Sequence, residues 1–545
     1  MVKNLLSLLS TRQTSILSGA TVLMVTVATS KILGLVRDRL LAHSFTPDQT
    51  AMFLAAFRLP DLMFQLLIFG AVSVAFIPVF TDYLQDEGEK EAFHFASDIL
   101  NIVLVMFVLV SLVVIVLAPF LTNLIVPGFS PHQKQLTAEL TRIIMLGQIL
   151  LVVGSFFVGI CQSYQRFIIP ALAAVFYNVG IILGIIFLVP VWGIFGPAFG
   201  VIIGASLHVL VQMPLVSSLG FRHKLSFNLK SHGIREIIRL MSVRTIGVAV
   251  EQVNETVGIV LASLISASSV TYLAFAQHLQ TVPIGLFGAT LAQAALPVLS
   301  LERAKKEEGG FKTTLLTTMH QIMFLSLPAA AILIVLRIPA VRLVFGASRF
   351  DWTATVLTGK TLAFLSLGLV AQSVMLLLVR GFYALKDTKT PVVVSVVSVA
   401  LNIILSILFV VIWKWEIWSL GLSYSAAAIV SVLMLLFALN KKLGGLHWKE
   451  LYLPSMKMIA AALAAALALY IPIKLLDQLV FDTTKTVNLL ILTSIASVFG
   501  LSVYLFLVWL LKVKELETFG NLLKKLYNLQ FQVKSEEIIQ GPGPV

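Results

Sequence analysis

The 545-residue sequence predicts an all-α integral membrane protein, and three observations carry that reading. Hydrophobic residues make up 58% of the chain and charged residues only 12%, with a mean hydropathy of +0.98, whereas a soluble domain has roughly a quarter of its residues charged. The apolar runs reach about 20 residues or more, the length a helix needs to cross hydrocarbon. They are far longer than the roughly ten-residue alternating segments of a transmembrane barrel, and lipid excludes open sheet edges.

Fourteen or so runs meet the length criterion, near 15–36, 51–80, 99–125, 141–164, 168–189, 193–217, 240–264, 268–300, 314–337, 355–385, 391–413, 417–440, 455–475 and 487–511. The first follows Lys3 and Arg12 as a signal peptide would, but leads straight into charged residues and reads as a retained helix. The second, eighth and tenth are long enough to tilt or bend. Pro60, Pro78, Pro283 and Pro297 lie in two of them and remove backbone hydrogen bonds there. The last two runs carry almost no charge. Lys and Arg collect in the 218–239 loop, around Arg303 to Lys312, at Lys441 and Lys442, and after Lys512. That bias places those loops and both termini in the cytoplasm.

The net charge of +13 and pI near 9.7 do not point to nucleic acid, because the basic residues sit in short connections between apolar runs and form no basic-aromatic module. A single cysteine, Cys161, rules out an intrachain disulfide, and the nine histidines lack metal-ligand spacing. The Gly-Lys-Thr of 354–361 has Ala354 at the first glycine position of a phosphate loop and lies in an apolar run, so it is read as a chance match. No cofactor, metal or enzyme activity is expected.

A faint internal repeat runs through the chain. FGAVSVAFIPVF (69–80) corresponds to FGATLAQAALPVL (287–299), and FIIPALAAVFYNVGIILG to TKTPVVVSVVSVALNIILS. This suggests two pseudo-symmetric six-helix lobes, 1–217 and 240–440. The basic loop 218–239 would join them, two extra helices would occupy 441–511, and a basic cytoplasmic tail 512–545 would finish in a mobile GPGPV end. Transporters with such repeats hold their site between the halves.

Charge in the bilayer core costs at least ~2.5–3.5 kcal/mol, so intramembrane charges mark function or a partner. They concentrate in four runs: Lys31, Arg37 and Asp38 in the first; Arg58, Asp61 and Gln65 in the second; Arg244, Glu251, Gln252, Asn254 and Glu255 in the seventh; Gln277, His278 and Gln280 in the eighth. One central cavity would collect them, with Arg37 and Arg58 facing it together. Other readings stay open. Arg39 and His43 fall past the first helix and suit the interface. Asp61, three residues from Arg58, suits a neutralising pair. Glu251 and Glu255, one turn apart, suit either a coupled site for a proton or cation or an ion pair with Arg244. His278 suits a packed histidine as well as a ligand. Gln148, Gln162, Gln372 and Asn402 suit interhelical hydrogen bonds.

SKILGLVRD, AAFRLPDLM, FGAVSVAFIPVF and RGFYALKDTKTPV resemble, in order, the signature stretches of the MurJ/MviN family of lipid II flippases. The resemblance runs from about residue 15 to 440. It implies an inner-membrane protein of the MOP exporter superfamily whose last two helices form a groove for a polyprenyl tail. The cargo would be an undecaprenyl-diphosphate-linked glycan, moved between leaflets by alternating access, with other cell-wall synthesis proteins as potential partners. Arg37 and Asp38 fall on the family's helix-1 motif and Arg58 on the basic position of the second, with Lys31 and His278 where arginines are usual. These five are the expected substrate-binding residues. Arg244, Glu251, Gln252, Glu255, Arg380 and Asp387 are candidates for ion handling or gating. Phe64, Ala51 and Phe69 stand where the family carries charge, which thins the anion site. A protonated His278 would restore one cation and make transport rise as pH falls. A flippase for another lipid-linked glycan, a cation exporter using Glu251 and Glu255, and a non-transporting cell-wall scaffold are the alternatives.

Overall fold

The computed structural model describes residues 16–69, 75–228, 232–305, 308–446, 448–479 and 485–520; within these, the side chains of residues 16–25, 27, 69, 235, 238–244, 246, 308 and 476–479 lie outside the description. The long helices are α1 (Ile16–Ser44), α2 (Pro47–Ile68), α3 (Glu89–Ile125), α4 (Pro131–Ser163), α5 (Ile168–Trp192), α6 (Phe195–Ser218), α7 (His232–Ile265), α8 (Ala267–Ala304), α9 (Glu308–Val335), α10 (Trp352–Leu367 and Leu369–Ala384), α11 (Lys389–Ile412), α12 (Trp418–Lys442), α13 (Trp448–Leu479) and α14 (Thr486–Leu510). Among the described residues twelve helices are long and apolar enough to span a bilayer, and α10 makes thirteen as a pair bent by 43°. The all-α class is therefore as expected, and the figure of fourteen spans is approximate, with α1 standing outside that count.

Several helices overrun their apolar stretches, because local capping rather than hydropathy sets where a helix begins. Thr46 and Ser130 each form a capping box with Gln49 and Gln133, and Pro47 and Pro131 take the first helical positions. α1 continues to Ser44, so Arg39 and His43 lie within the helix rather than past its end. Arg39 Nη1 donates to the carbonyls of Leu343 (2.6 Å) and Val344 (3.2 Å), at the end of the short helix Arg337–Phe345.

The prolines act through widened turns. A π segment, Gln65–Phe69, follows Pro60, and another, Ile284–Ala289, follows Pro283 directly. Two more, Gly184–Leu188 and Leu408–Ile412, lie one turn before the end of α5 and at the end of α11. The first pair overlaps the start of the two Phe-Gly-Ala stretches, and the second begins where the other paired stretches end, at Gly184 and just past Ser406. The caps agree as well. Gln165 and Lys386 both have positive φ (58° and 57°), close the preceding helix, and stand five residues before Pro170 and Pro391. The next residues, Arg166 and Asp387, donate their N–H to the carbonyls of Cys161 and Phe382 in the same 6→1 pattern.

Two compact units emerge. The first comprises residues 1–282, 340–365 and 391–431. Its core is aromatic, with Phe76, Phe80, Phe93, Phe95, Phe156 and Phe221 buried together. α5 and α6 touch backbone to backbone: a Cβ on Gly180 would lie 2.2 Å from Gly204 Cα, and one on Gly184 2.4 Å from Gly200 Cα. This is the close approach that small residues four apart permit between spanning helices.

The second unit comprises 283–339, 366–390 and 432–545. α13 packs on α14 and α9, with Ala331, Leu336, Leu469 and Ala496 buried at the contact. Tyr504 Oη donates to the Phe324 carbonyl at 3.0 Å, Phe519 stacks on Phe324, and buried Glu515 lies 3.6 Å from His320 Nδ1. The start of the basic tail is thus docked, while residues 521–545, with the GPGPV end expected to be mobile, lie outside the described residues.

Candidate anion-binding cavity

A cavity of about 220 Å³, room for about seven waters at ~30 Å³ each, opens within the first unit. α1 contributes Ser30, Lys31, Gly34, Arg37 and Asp38; α5 contributes Asn178; α8 contributes His278 and Thr281. On α1 the spacing of 30, 31, 34, 37 and 38 is that of one helical face, so the polar residues share a wall.

Asp38 organises this wall. It is 1% exposed, and its two oxygens are divided between neighbours: Oδ1 accepts from Arg37 Nη2 (2.8 Å) and Nε (3.1 Å), and Oδ2 accepts from His278 Nδ1 (2.7 Å). A buried carboxylate demands such partners. Arg37 is 20% exposed and His278 36% exposed. Arg37 has no acceptor for Nη1 among the described residues, so part of its fork faces the cavity. Lys31 is exposed there too. Two full cations against one carboxylate make a site that favours an anion, and arginine's planar fork suits phosphate oxygens. Asn178 Nδ2 donates to Ser30 Oγ at 3.2 Å, which orders the rim. Ser30, Asn178 and Thr281 were not singled out as site residues from sequence; the asparagine inside the repeat was the available signal.

Arg58 does not line this cavity, which corrects the expectation that it shares a compartment with Arg37. Its side chain is 3% exposed and fully engaged with α7. Nε donates to Thr256 Oγ1 (2.9 Å), Nη1 to Glu255 Oε2 (2.7 Å), and Nη2 to both the Gln252 carbonyl (2.6 Å) and Gln252 Oε1 (2.7 Å). The ion pair is with Glu255, not with Asp61, three residues away. A second polar chain continues from α7: Asn402 Nδ2 donates to Asn254 Oδ1 at 2.7 Å, and Ser406 joins Asn402 to Ser423. Glu251 makes no ion pair among the described residues, and the Arg244 side chain lies outside them.

The remaining candidates sit in the second unit or in other cores. Arg380, in α10, makes no ion pair among the described residues. Asp387 opens α11: it accepts from the Lys389 and Thr390 N–H groups and from Thr390 Oγ1, and Lys442 Nζ lies 2.6 Å away. Partial burial works against its charge, but the bonds from Lys442 and Thr390 outweigh it and bring the carboxyl down to about 2. Phe64 packs against the aromatic core and Ala51 is fully buried, so neither offers a substitute for a missing charge; the Phe69 side chain lies outside the described residues. Among the described residues no group of His, Cys, Asp and Glu has the arrangement of a metal site.

A multi-pass helical bundle with a cation-lined cavity is the make-up of a membrane transporter. The comparisons specify the family: the model described as "Lipid II flippase MurJ" matches residues 44–492, and the chain belongs to that family. A probable lipid II flippase MurJ of Bdellovibrio bacteriovorus is 28% identical over 489 residues, covering 87% of this chain and 92% of that protein. The lipid II flippase MurJ of Burkholderia cenocepacia is 26% identical over 425 residues, 76% of this chain and 81% of that one. Among solved structures, a lipid II flippase MurJ in an inward closed conformation superposes with a TM-score of 0.73 at 23% identity, covering 88% of this chain and 98% of that one. An inward-facing multidrug resistance MATE transporter of the MOP superfamily gives 0.65 at 13% identity over 76% and 94%. These two likenesses bear on the fold.

Proposed function

We propose that this chain is a flippase that carries lipid II across the bacterial inner membrane, and that the α1–α5–α8 cavity receives the diphosphate. The observation that carries this reading is the Arg37–Asp38–His278 arrangement, set beside Lys31 in the scaffold of the family. A diphosphate cannot cross hydrocarbon and needs a hydrated, cationic compartment. Asp38 holds Arg37 in place and offsets part of its charge when the site is empty, so binding stays weak enough for release. Arg58, buried against α7 by four hydrogen bonds, is read as a strut of the moving parts rather than a ligand. Glu251 and Glu255 are read as the ion-handling or gating residues.

In this reading the undecaprenyl tail lies along α13 and α14, whose outer faces expose Leu463, Leu467, Val498 and Phe506. Lobes 1–217 and 240–440 exchange access to the two sides, and both termini are cytoplasmic, as the basic loops favour. No covalent chemistry is involved. The family match lends nothing to the cation-exporter or scaffold readings. Purified protein in vesicles tests the proposal. Lipid II should be flipped faster than polyprenyl diphosphates carrying other glycans, and Arg37→Ala should stop it. Equal rates for all glycans would remove lipid II as the specific cargo, and a fully active Arg37→Ala would remove the cavity.

A further inference from the structure

After α6 the chain does not leave the protein. Residues 221–228 run along the first turns of α3, held by polar side chains at 94, 97, 98 and 101, which share one helical face. Asn101 Nδ2 donates to the carbonyls of Lys224 (2.8 Å) and Ser226 (3.0 Å), and its Oδ1 meets His223 Nε2 at 2.7 Å. Ser97 Oγ accepts the Lys224 N–H, Asp98 Oδ1 accepts the Asn228 N–H, and Lys224 Nζ donates to His94 Nε2 at 2.8 Å. Ser97, Asp98 and Asn101 are all buried beneath the strap. Phe221 anchors its start in the aromatic core.

This clamp fixes which side chains point away. Ser226 faces in and is half-buried, whereas Leu225, at the tip of the tight turn closed by the Ser226 N–H on the Lys224 carbonyl, is 84% exposed and Phe227 56% exposed. Arg222 and Lys224, just before them, are also exposed. Two large apolar side chains held outward on a rigid base, beside two cations, require an amphiphilic environment.

The level of the strap identifies that environment. α3 is covered from Ala92 to Leu104 and then exposes Val105, Leu109, Leu112, Val113 and Val116 in sequence. The lipid-facing surface therefore starts at Val105, one turn or about 6 Å beyond the Asn101 that grips the strap. α6, leading into it, exposes Leu210 and Met213. The strap thus lies where hydrocarbon gives way to headgroups, at the basic end of the bundle.

We propose that residues 221–228 form a membrane foot: Leu225 and Phe227 insert among acyl-chain ends, while Arg222 and Lys224 contact anionic headgroups. The occupant is an anionic lipid surface, because the exposed charge is positive and the strap continues the lipid-facing wall of α3. Apolar anchors flanked by Arg and Lys are the interfacial combination that such surfaces select.

The full-length protein tests this with Cys161→Ala and Leu225→Cys, the latter carrying an environment-sensitive label, in vesicles of phosphatidylcholine with or without phosphatidylglycerol. Brominated acyl chains should quench the label, aqueous iodide should not, and both effects should strengthen with phosphatidylglycerol. Arg222→Glu with Lys224→Glu should shift the in–out equilibrium outward by about fivefold per residue, at roughly 1 kcal/mol per surface cation. A label quenched by iodide alone places the strap in water and overturns the proposal. Protection from both quenchers means protein covers it, a partner or second copy, and also overturns it. Equal quenching in the two lipids overturns the anionic preference. A label at Phe227→Cys repeats the measurement should Leu225→Cys disturb the strap.

Discussion

Arg37 and Arg58 are both arginines placed inside apolar helices, and the structure treats them in opposite ways. Arg58 is buried and spends four of its five donors on α7, with acceptors from Gln252, Glu255 and Thr256. Arg37 has one carboxylate, which it shares with His278, and keeps an unbonded edge toward the cavity. A guanidinium buried under four bonds is closed to a ligand; a half-satisfied one at a cavity wall is held in place yet free to bind. The comparison teaches that charge in a membrane helix is not itself a site. The unfilled hydrogen-bonding capacity of the charge is.

The contrast breaks most sharply at Arg37. Arg37→Ala should lower the flipping rate about a hundredfold, roughly 2.7 kcal/mol, with a smaller loss of stability than Arg58→Ala because Asp38 keeps its bond to His278, as read by a vesicle assay beside a melting curve. If stability falls instead and transport survives, the two arginines have been assigned the wrong way round.

Arg58→Ala should act first on stability. It strips a buried clamp and leaves Gln252 and Thr256 without their donor. Removing one member of a fully buried pair costs about 3–5 kcal/mol. Glu255 is half-exposed and rehydrates, so about 2–3 kcal/mol is expected in denaturant unfolding. Arg58→Lys should recover little, since a point charge cannot reach three partners at once.

A smaller effect sharpens the role of His278. Replacement by arginine should preserve transport within about threefold, under 1 kcal/mol, because an N–H donor still meets Asp38 Oδ2. His278→Leu should lower it by about tenfold, ~1.4 kcal/mol, by leaving Oδ2 of a buried carboxylate unpaired. Equal activity of the arginine and leucine variants would show a merely space-filling residue.

The smallest effect belongs to Asp387, in the stretch that matches the α4–α5 turn. Its carboxyl is held near 2, below the ordinary 3.8. Its contribution is therefore complete above the unfolded value and fades as pH falls from 3.8 toward 2. Asp387→Asn should destabilise by less than about 1 kcal/mol near neutrality. The difference from the parent should vanish at the acid end of a melting series. A difference that persists there would point to the amide's own misfit.

The repeat is where sequence and structure meet most closely. Its paired stretches looked alike only in proline, asparagine and Phe-Gly-Ala. In the folded chain they also share π turns and left-handed caps at Gln165 and Lys386. Proline and Asn/Gly patterns leave such backbone marks because they act on local dihedrals and hydrogen bonds.

What the sequence determined by itself was whatever depends on local averages. The helical membrane class and the approximate number of spans follow from composition within about twenty residues, and the widened turns near Pro60 and Pro283 from the prolines there. Family motifs added the position of Arg37 and Asp38. Tertiary structure decided the partners. By spacing, Asp61 was the natural mate of Arg58; instead α7 presented Gln252, Glu255 and Thr256 on one face, and a planar fork satisfied three groups at once. His278 read equally as packing or ligand until α8 placed Nδ1 on Asp38. The loop 218–239 read as basic sequence, and only the row of Ser97, Asp98 and Asn101 laid its first part along α3. Hydropathy is summed along the chain, whereas a hydrogen bond depends on two side chains meeting within 3 Å or so, and their separation in sequence carries no such distance.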